Sequence, residues 1–296
     1  MGIAGLEALE RQGFEICAVF THDDDPKENC WFDSVKEWAL KRRIAVSTDE
    51  NLRDQRVWDA ILRWQPQVIF SFYYRKMIPL PILEIPPTGA FNLHGSLLPA
   101  YRGRCPVNWV LVFGEKQTGV TLHYMIDKPD AGDIVGQKTV DIENKDTAKT
   151  LYDKLCQAAS SLLDESLPLI LSGRTPRIPQ DLSCGSYFGG RRPEDGRINW
   201  SLSADTIYNL IRAVTDPYPG AYAFLENDEK IIIWWAVPVH TKSARLHGEV
   251  VLMEQDVLVQ TGKHAIELKD IELYGQRLRG AEIIGYFEKG KVARLK

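Results

Sequence analysis

Short apolar runs bounded by turn residues alternate with helical patterns along the first part of the chain, and this alternation constrains the fold most. The runs that predict strands lie at residues 15–20, 68–72, 90–93, 120–125 and 134–140. Apolar residues at helical spacing predict one helix near residues 32–43 and a longer helix at about residues 147–171. We therefore expect an α/β fold with a Rossmann-like, mostly parallel sheet and helices on both faces.

The second part of the chain has a different pattern. A stretch rich in Gly, Pro and Arg at residues 184–197 indicates a linker. One helical pattern at residues 204–214 follows it, and then come several short β-like runs. This order predicts a Rossmann-like domain over residues 1–183 and a small β-barrel-like domain over residues 198–296.

Composition narrows the class of protein. A chain of 296 residues can bury one large core or two modest ones, and its 44% hydrophobic and 26% charged content is typical of soluble globular proteins. No apolar run approaches the roughly 20 residues that span a bilayer, and the first residues lack the pattern of a signal peptide. The five cysteines form no C-x-x-C pair. We therefore expect a cytoplasmic protein with reduced thiols and no metal site.

The charge of the chain bears on its partner. The net charge is −4, and residues 198–296 contain 12 Lys/Arg and 13 Asp/Glu. A domain that grips tRNA through its phosphates is expected to be clearly basic. The balance therefore disfavours a nucleic-acid partner and favours a small anionic substrate held by a few local cations.

Three side chains of complementary chemistry point to a catalytic site. Asn92 and His94 are two residues apart at a predicted strand end, so both should leave the strand on one face. The amide of Asn92 can donate to an oxyanion, and the imidazole of His94 can take a proton from an attacking amine near neutral pH. A carboxylate beside the ring would stabilise its protonated form, and Asp130 is the candidate. This set suits the transfer of a formyl group to an amine.

Structural interpretations of the same motifs remain open at this point. An isolated Asn-x-His is commonly a hydrogen-bonded pair, and the Asp-Ala-Gly sequence at residues 130–132 is commonly a turn. His123, two residues after Thr121 on a predicted strand, is expected to be structural or, alternatively, to approach the site. Residues 191–197 are expected to be a solvated linker or, alternatively, a pyrophosphate contact. No G-x-G-x-x-G follows a strand, which disfavours a nicotinamide dehydrogenase.

Several segments together resemble the N10-formyltetrahydrofolate-dependent formyltransferases. The segments that carry the resemblance are Phe91–Pro99, Tyr101–Arg104, Gly119–His123 and Asp130–Ile134. Others are similar to the UDP-4-amino-4-deoxy-L-arabinose formyltransferases, the N-terminal half of a bifunctional polymyxin-resistance enzyme: Phe20–Asp23, Pro26–Asn29, Phe70–Arg75 and Asn108–Val112.

The resemblance implies a function and a set of site residues. It implies transfer of the formyl group of N10-formyltetrahydrofolate to the 4-amino group of a nucleotide-linked amino sugar, with UDP-4-amino-4-deoxy-L-arabinose the leading candidate and lipid A modification the pathway. It also implies catalysis by Asn92, His94 and Asp130, and an open, OB-like C-terminal barrel. The folate contacts that it implies are Lys76, Met77, Ile78, Arg104, Ile126, Asp127, Lys128, Pro129 and Asp130.

The resemblance also leaves alternatives. Within the family these are a methionyl-tRNA formyltransferase and an enzyme for another nucleotide amino sugar. A hydrolase that passes the formyl group to water and a catalytically silent folate or sugar-nucleotide sensor are the others. Relatives carry a dehydrogenase/decarboxylase domain after this one, which is expected as a fused or separate partner. They also place a central strand before Gly2, so we expect either a start codon late by about ten residues or a variant without that strand.

Overall fold

The computed structural model describes residues 1–24, 29, 31–48, 51–241, 245–290 and 292–296. Pro26, Lys27 and Glu28 of the family-like motifs and Cys30 lie outside the described residues. The chain forms two compact units, each assembled from separate segments. The first comprises Met1–Pro106, Gln117–Ile142 and Tyr152–Gly189; the second comprises Val107–Lys116, Glu143–Leu151 and Gly190–Lys296. The domain boundaries expected from the sequence remain a prediction.

Helices and strands alternate through most of the first unit. The described helices of both units are α1 (Gly2–Arg11), α2 (Val35–Lys41), α3 (Gln55–Trp64), α4 (Leu80–Leu83), α5 (Pro106–Val112), α6 (Ala148–Leu171), α7 (Ala204–Val214) and α8 (Ala281–Gly290). The first eight strands are β1 (Ala18–Phe20), β2 (Ala45–Ser47), β3 (Ile69–Phe72), β4 (Ala90–His94), β5 (Arg102–Gly103), β6 (Gln117–Tyr124), β7 (Ile134–Asp141) and β8 (Tyr187–Phe188). The last six are β9 (Ala221–Phe224), β10 (Lys230–Val239), β11 (Val250–Leu252), β12 (Val257–Gln260), β13 (Ala265–Leu273) and β14 (Gln276–Arg279).

The sheets of the first unit contain parallel and antiparallel pairs. Strands β1 and β2 form a parallel pair of their own. A second sheet has the order β3-β4-β6-β7, in which β3 and β4 are parallel while β6 runs antiparallel to both of its neighbours. The α/β class predicted from the sequence is confirmed, and each predicted strand of this unit is present with bounds shifted by a few residues.

Strand β4 positions the site because its two faces differ. Phe91 and Leu93 are fully buried in the core, so the alternate residues Asn92 and His94 leave the opposite face of the strand. The parallel pair β1–β2 is covered separately, with Val19 packed on Leu6 of α1 and Trp38 of α2. Helices α1 and α2 thus cover the apolar side of the β1–β2 pair.

The second unit contains an antiparallel sheet with the order β11-β12-β13-β10-β9, and β14 pairs with β13. Helix α7 packs against β10 and buries Ile207 and Ile211, as its apolar spacing predicts. In the described part of the chain no ladder joins β11 to β9, so the sheet is open. A C-terminal sheet domain is therefore present where the short β-like runs predict a small β-barrel-like domain.

The stretch expected to be a linker has defined structure. Tyr187 and Phe188 pair with β5, and a single 3₁₀ turn follows at Pro193–Gly196.

None of the helices described here combines the length and the apolar character that crossing a membrane requires. The four described cysteines are free thiols.

Candidate active site

The pairing of β4 with β6 brings the amide of Asn92 next to an imidazole. In the antiparallel register Asn92 lies directly opposite His123, where side chains on one face touch. The Nδ2 atom of Asn92 is 3.1 Å from Nε2 of His123 and 3.3 Å from Oδ1 of Asp130. Nδ1 of His123 is 2.8 Å from the carbonyl oxygen of Tyr124, which can only accept a hydrogen bond. In the neutral ring, Nε2 of His123 therefore accepts a hydrogen from Asn92.

His94 is enclosed and held by two contacts. Its side chain is almost fully buried, with Nε2 2.8 Å from the carbonyl oxygen of Tyr101 and Nδ1 3.6 Å from Oδ1 of Asp130. Because a carbonyl oxygen cannot donate, the proton of the neutral ring sits on Nε2 and the lone pair on Nδ1. The free nitrogen of His94 thus faces the carboxylate that would stabilise the protonated ring.

Asp130 joins the two imidazoles and the loop after His94. Its Oδ2 accepts a hydrogen bond of 2.8 Å from the backbone N–H of Gly103. Its Oδ1 lies within 3.6 Å of His94 and 3.5 Å of His123. Asp130 itself has a φ of +48°, in the left-handed region that Asp tolerates better than most residues. The turn that the sequence suggested at residues 130–132 is therefore present and carries the carboxylate.

The electrostatics of the site favour a neutral His94 and an ionised Asp130 at pH 7. Burial lowers the pKa of His94 below its usual range, and it outweighs the opposing charge of Asp130. Burial would by itself raise the pKa of Asp130. The hydrogen bond that a protonated His123 ring donates, the charge of a protonated His94 ring and the N–H of Gly103 outweigh it and lower the pKa of Asp130 to about 2. A neutral imidazole beside a fixed carboxylate can act as a base near neutral pH.

His123 lies in the site, which was the less favoured of the two interpretations that its sequence position allowed. Its contact with Asn92 follows from the β4–β6 register, which the sequence does not specify. Together, His123 and Asp130 engage both hydrogens of the Asn92 amide. An oxyanion that accepts from Asn92 must therefore replace one of these two contacts.

The predicted folate residues lie on two exposed loops and on the segment after β5. Nη2 of Arg104 is 3.5 Å from the carbonyl oxygen of Arg75, so Arg104 lies against the loop that contains residues 76–78. In that loop Met77 is 56% exposed, and Ile126, in the loop after β6, is 40% exposed. Asp127 and Lys128 are also exposed, while Ile78 and Pro129 are half-buried. Exposed apolar side chains on both loops suit contact with a planar ring.

Comparison with known families identifies the chain. A family model described as formyl transferase matches residues 4–167, and a model for the formyl transferase C-terminal domain matches residues 191–285. This chain belongs to the formyl transferase family. The first match spans every strand from β1 to β7 and therefore includes Asn92, His94 and Asp130. In this formyl transferase, the described residues contain no group of three His, Cys, Asp or Glu that could hold a metal ion.

Solved structures share the fold of this formyl transferase. The sugar 3N-formyltransferase WlaRD, solved in the presence of dTDP and 5-N-formyl-THF, is 21% identical with a TM-score of 0.68 over 90% of this chain and 93% of its own. An N-formyltransferase from Helicobacter canadensis, in complex with folinic acid and dTDP-3-aminofucose, is 21% identical with a TM-score of 0.67 over 90% and 94%. HypX from Aquifex aeolicus, in complex with tetrahydrofolic acid, is 20% identical with a TM-score of 0.62. The match covers 92% of this chain and 47% of HypX. The chain thus spans about half the length of HypX.

Proposed function

We propose that this formyl transferase moves the formyl group of N10-formyltetrahydrofolate to the 4-amino group of a nucleotide-linked amino sugar, UDP-4-amino-4-deoxy-L-arabinose. The observation that carries the proposal is the buried imidazole of His94 beside the carboxylate of Asp130, with the amide of Asn92 on the same carboxylate. Formyl transfer to an amine needs a base, a donor to the formyl oxygen and a stabiliser of the protonated base, and these residues supply all three.

His94 handles the proton in this mechanism. Its Nε2–H is held by the carbonyl oxygen of Tyr101, so Nδ1 takes the proton that the attacking amine loses, directly or through a water. The charge that then forms on the ring lies 3.6 Å from Oδ1 of Asp130. His94 finally gives the proton to the folate nitrogen that leaves, which restores the neutral ring.

Asn92 stabilises the negative charge that develops on the formyl oxygen. A fixed amide donor at such a position contributes about 3 kcal/mol to the transition state in related acyl-transfer sites. Its two amide hydrogens contact His123 and Asp130 before the substrate binds, and the oxyanion takes the place of one of these contacts. N10-formyltetrahydrofolate supplies an activated formyl group, and the chain supplies orientation and proton transfer.

The exposed loops give the folate a place to bind. Met77 and Ile126 offer apolar contacts for the pterin ring, and the backbone groups of residues 76–78 and 126–130 offer hydrogen bonds. The guanidinium of Arg104 can bind a carboxylate of the glutamyl tail with two parallel hydrogen bonds. These assignments fit an aromatic ring attached to a charged tail.

The choice of acceptor rests on charge and on sequence similarity. Residues 198–296 carry 12 Lys/Arg against 13 Asp/Glu, whereas a tRNA-binding domain needs an excess of cations. The sequence resemblance to the UDP-4-amino-4-deoxy-L-arabinose enzymes extends through the segments at residues 70–75 and 108–112. On this proposal the product enters lipid A modification, and a dehydrogenase/decarboxylase, fused or separate, acts in the same pathway.

The test is the release of tetrahydrofolate from N10-formyltetrahydrofolate with different acceptors. The panel contains UDP-4-amino-4-deoxy-L-arabinose, a dTDP-linked amino sugar, methionyl-tRNA and no acceptor. Turnover that requires the UDP sugar supports the proposal. Turnover only with the dTDP sugar or methionyl-tRNA would keep the chemistry and refute the acceptor, and equal turnover without any amine would indicate a hydrolase.

A further inference from the structure

Gln180 lies between α6 and β8 in the first unit and contacts the turn that carries Asp130. Its Nε2 atom donates hydrogen bonds to two backbone carbonyl oxygens, that of Asp130 at 3.1 Å and that of Gly132 at 2.6 Å. Because carbonyl oxygens only accept, the NH2 end of the Gln180 amide must face the turn. Its Oε1 atom is buried without a hydrogen-bond partner among the described residues, so the two donated bonds fix the orientation of the amide.

The turn needs such support because its backbone is constrained. A non-glycine residue in the left-handed region costs about 1 kcal/mol, and Asp130 has a φ of +48°. Gly132 packs so closely on the carbonyl group of Tyr124 that a Cβ atom at this position would collide with it. The constraint at Gly132 falls between the two carbonyl groups that Gln180 binds, and the constraint at Asp130 comes directly before the first of them. The side chain therefore joins the two ends of a strained three-residue turn.

We propose that Gln180 is a positioning residue for formyl transfer: it holds the turn of residues 130–132 so that the Asp130 carboxylate stays against His94 and His123. This role rests on the proposed function, because it requires Asp130 to act on His94. Gln180 contributes no atom to the reaction. It acts through Asp130, whose Oδ1 atom lies 3.6 Å from His94 and 3.5 Å from His123.

A loosened turn would change the pH dependence of the reaction, which a loss of stability alone would not change. The groups that face His94 are the carboxylate of Asp130, the ring of His123 and the carbonyl of Tyr101. Of the two charged or titratable neighbours, Asp130 favours the protonated ring and His123 disfavours it. If the carboxylate moves away, the acidic limb of the activity profile therefore shifts to lower pH, and kcat falls because the protonated ring loses its partner.

Gln180→Met is the test, because methionine keeps the length of the side chain and removes both donors. Gln260 provides a matched control: its Nε2 atom also donates to two backbone carbonyl oxygens, those of Thr261 at 3.0 Å and His264 at 2.7 Å, and it lies in the second unit. We expect Q180M to lower kcat by tenfold or more with KM nearly unchanged, and to shift the acidic limb. We expect Q260M to lower the melting temperature without either effect.

Wild-type kcat and pH profile in folded Q180M, with Asp130→Ala inactive, would overturn the role of Gln180 and leave the proposed site intact. Full activity of Asp130→Ala would instead overturn both. If Q180M does not fold, Gln180→Asn replaces it, since the shorter amide can reach one carbonyl group but not both. A wild-type pH profile in that variant would also overturn the proposal.

Discussion

Replacing Asp130 by Asn should make the protein less sensitive to acid. The asparagine keeps the size of the side chain and an oxygen that can accept from the N–H of Gly103, but it has no charge. In the folded protein the pKa of Asp130 is lowered from 3.8 to about 2. A carboxyl group with a lowered pKa stabilises the fold above its unfolded pKa, and this contribution is lost as the pH falls through the folded value.

The size of the effect follows from the pKa shift. A difference of nearly two units between folded and unfolded states corresponds to about 2.5 kcal/mol of stability in total. Between pH 6 and pH 3 only part of this is lost, about 1 kcal/mol, because the folded carboxyl group is still mostly ionised at pH 3. The side chain is 14% exposed, so screening by solvent should reduce this only slightly.

Urea denaturation of the wild type and Asp130→Asn at pH 6 and pH 3 measures this directly. The comparison uses the difference in unfolding free energy between the two proteins, so acid effects from the other carboxyl groups cancel. We expect this difference to shift by about 1 kcal/mol in favour of the variant at pH 3. A difference that is the same at both pH values would refute the electrostatic account of the site.

Three further substitutions test separate parts of the structure. Gly103→Ala should destabilise the fold by at least about 2 kcal/mol and lower turnover, because the φ of Gly103 is +96° and a Cβ atom would collide with the carbonyl oxygen of Phe188. A variant that keeps the wild-type melting temperature would contradict this. Arg102→Met should raise the unfolding free energy by about 1 kcal/mol, because Arg102 is 9% exposed and its Nε atom has no partner within the residues that the structure describes. A loss of stability in urea would show instead that the interactions of the guanidinium offset the cost of burying it. Asn92→Ala should lower kcat by roughly 10²–10³-fold with little change in circular dichroism. A loss of kcat ten times smaller than this would argue against Asn92 as the oxyanion donor.

The parts of the fold that were predicted correctly have strong local patterns. The long helix α6 and the strands β4 and β6 show clear apolar periodicity, and their positions were expected within a few residues. Helix α3 was missed although it begins at an Asp54 cap and its apolar residues Val57, Trp58, Ile61, Leu62 and Trp64 fall at helical spacing. Helix α3 thus carries the same kind of local signal as α6 and could also have been predicted from the sequence.

The candidate site divides in the same way. Asn92 and His94 are neighbours on one strand, so their common face follows from the period of a β-strand. The contact between Asn92 and His123 depends on how two strands align, and the contact between Gln180 and Asp130 joins residues 50 positions apart through an irregular segment. Such contacts arise from tertiary packing, which no local pattern in this sequence encodes.

The measurement that tests the central claim most directly is tetrahydrofolate release with UDP-4-amino-4-deoxy-L-arabinose by the wild type, His94→Gln and His240→Gln. His240 is the matched control because it lies in the second unit, edge-on against His264. We predict turnover by the wild type and H240Q, and a loss of roughly 10²-fold or more in H94Q. Turnover by H94Q at the wild-type rate would contradict the assignment of His94 as the base for formyl transfer.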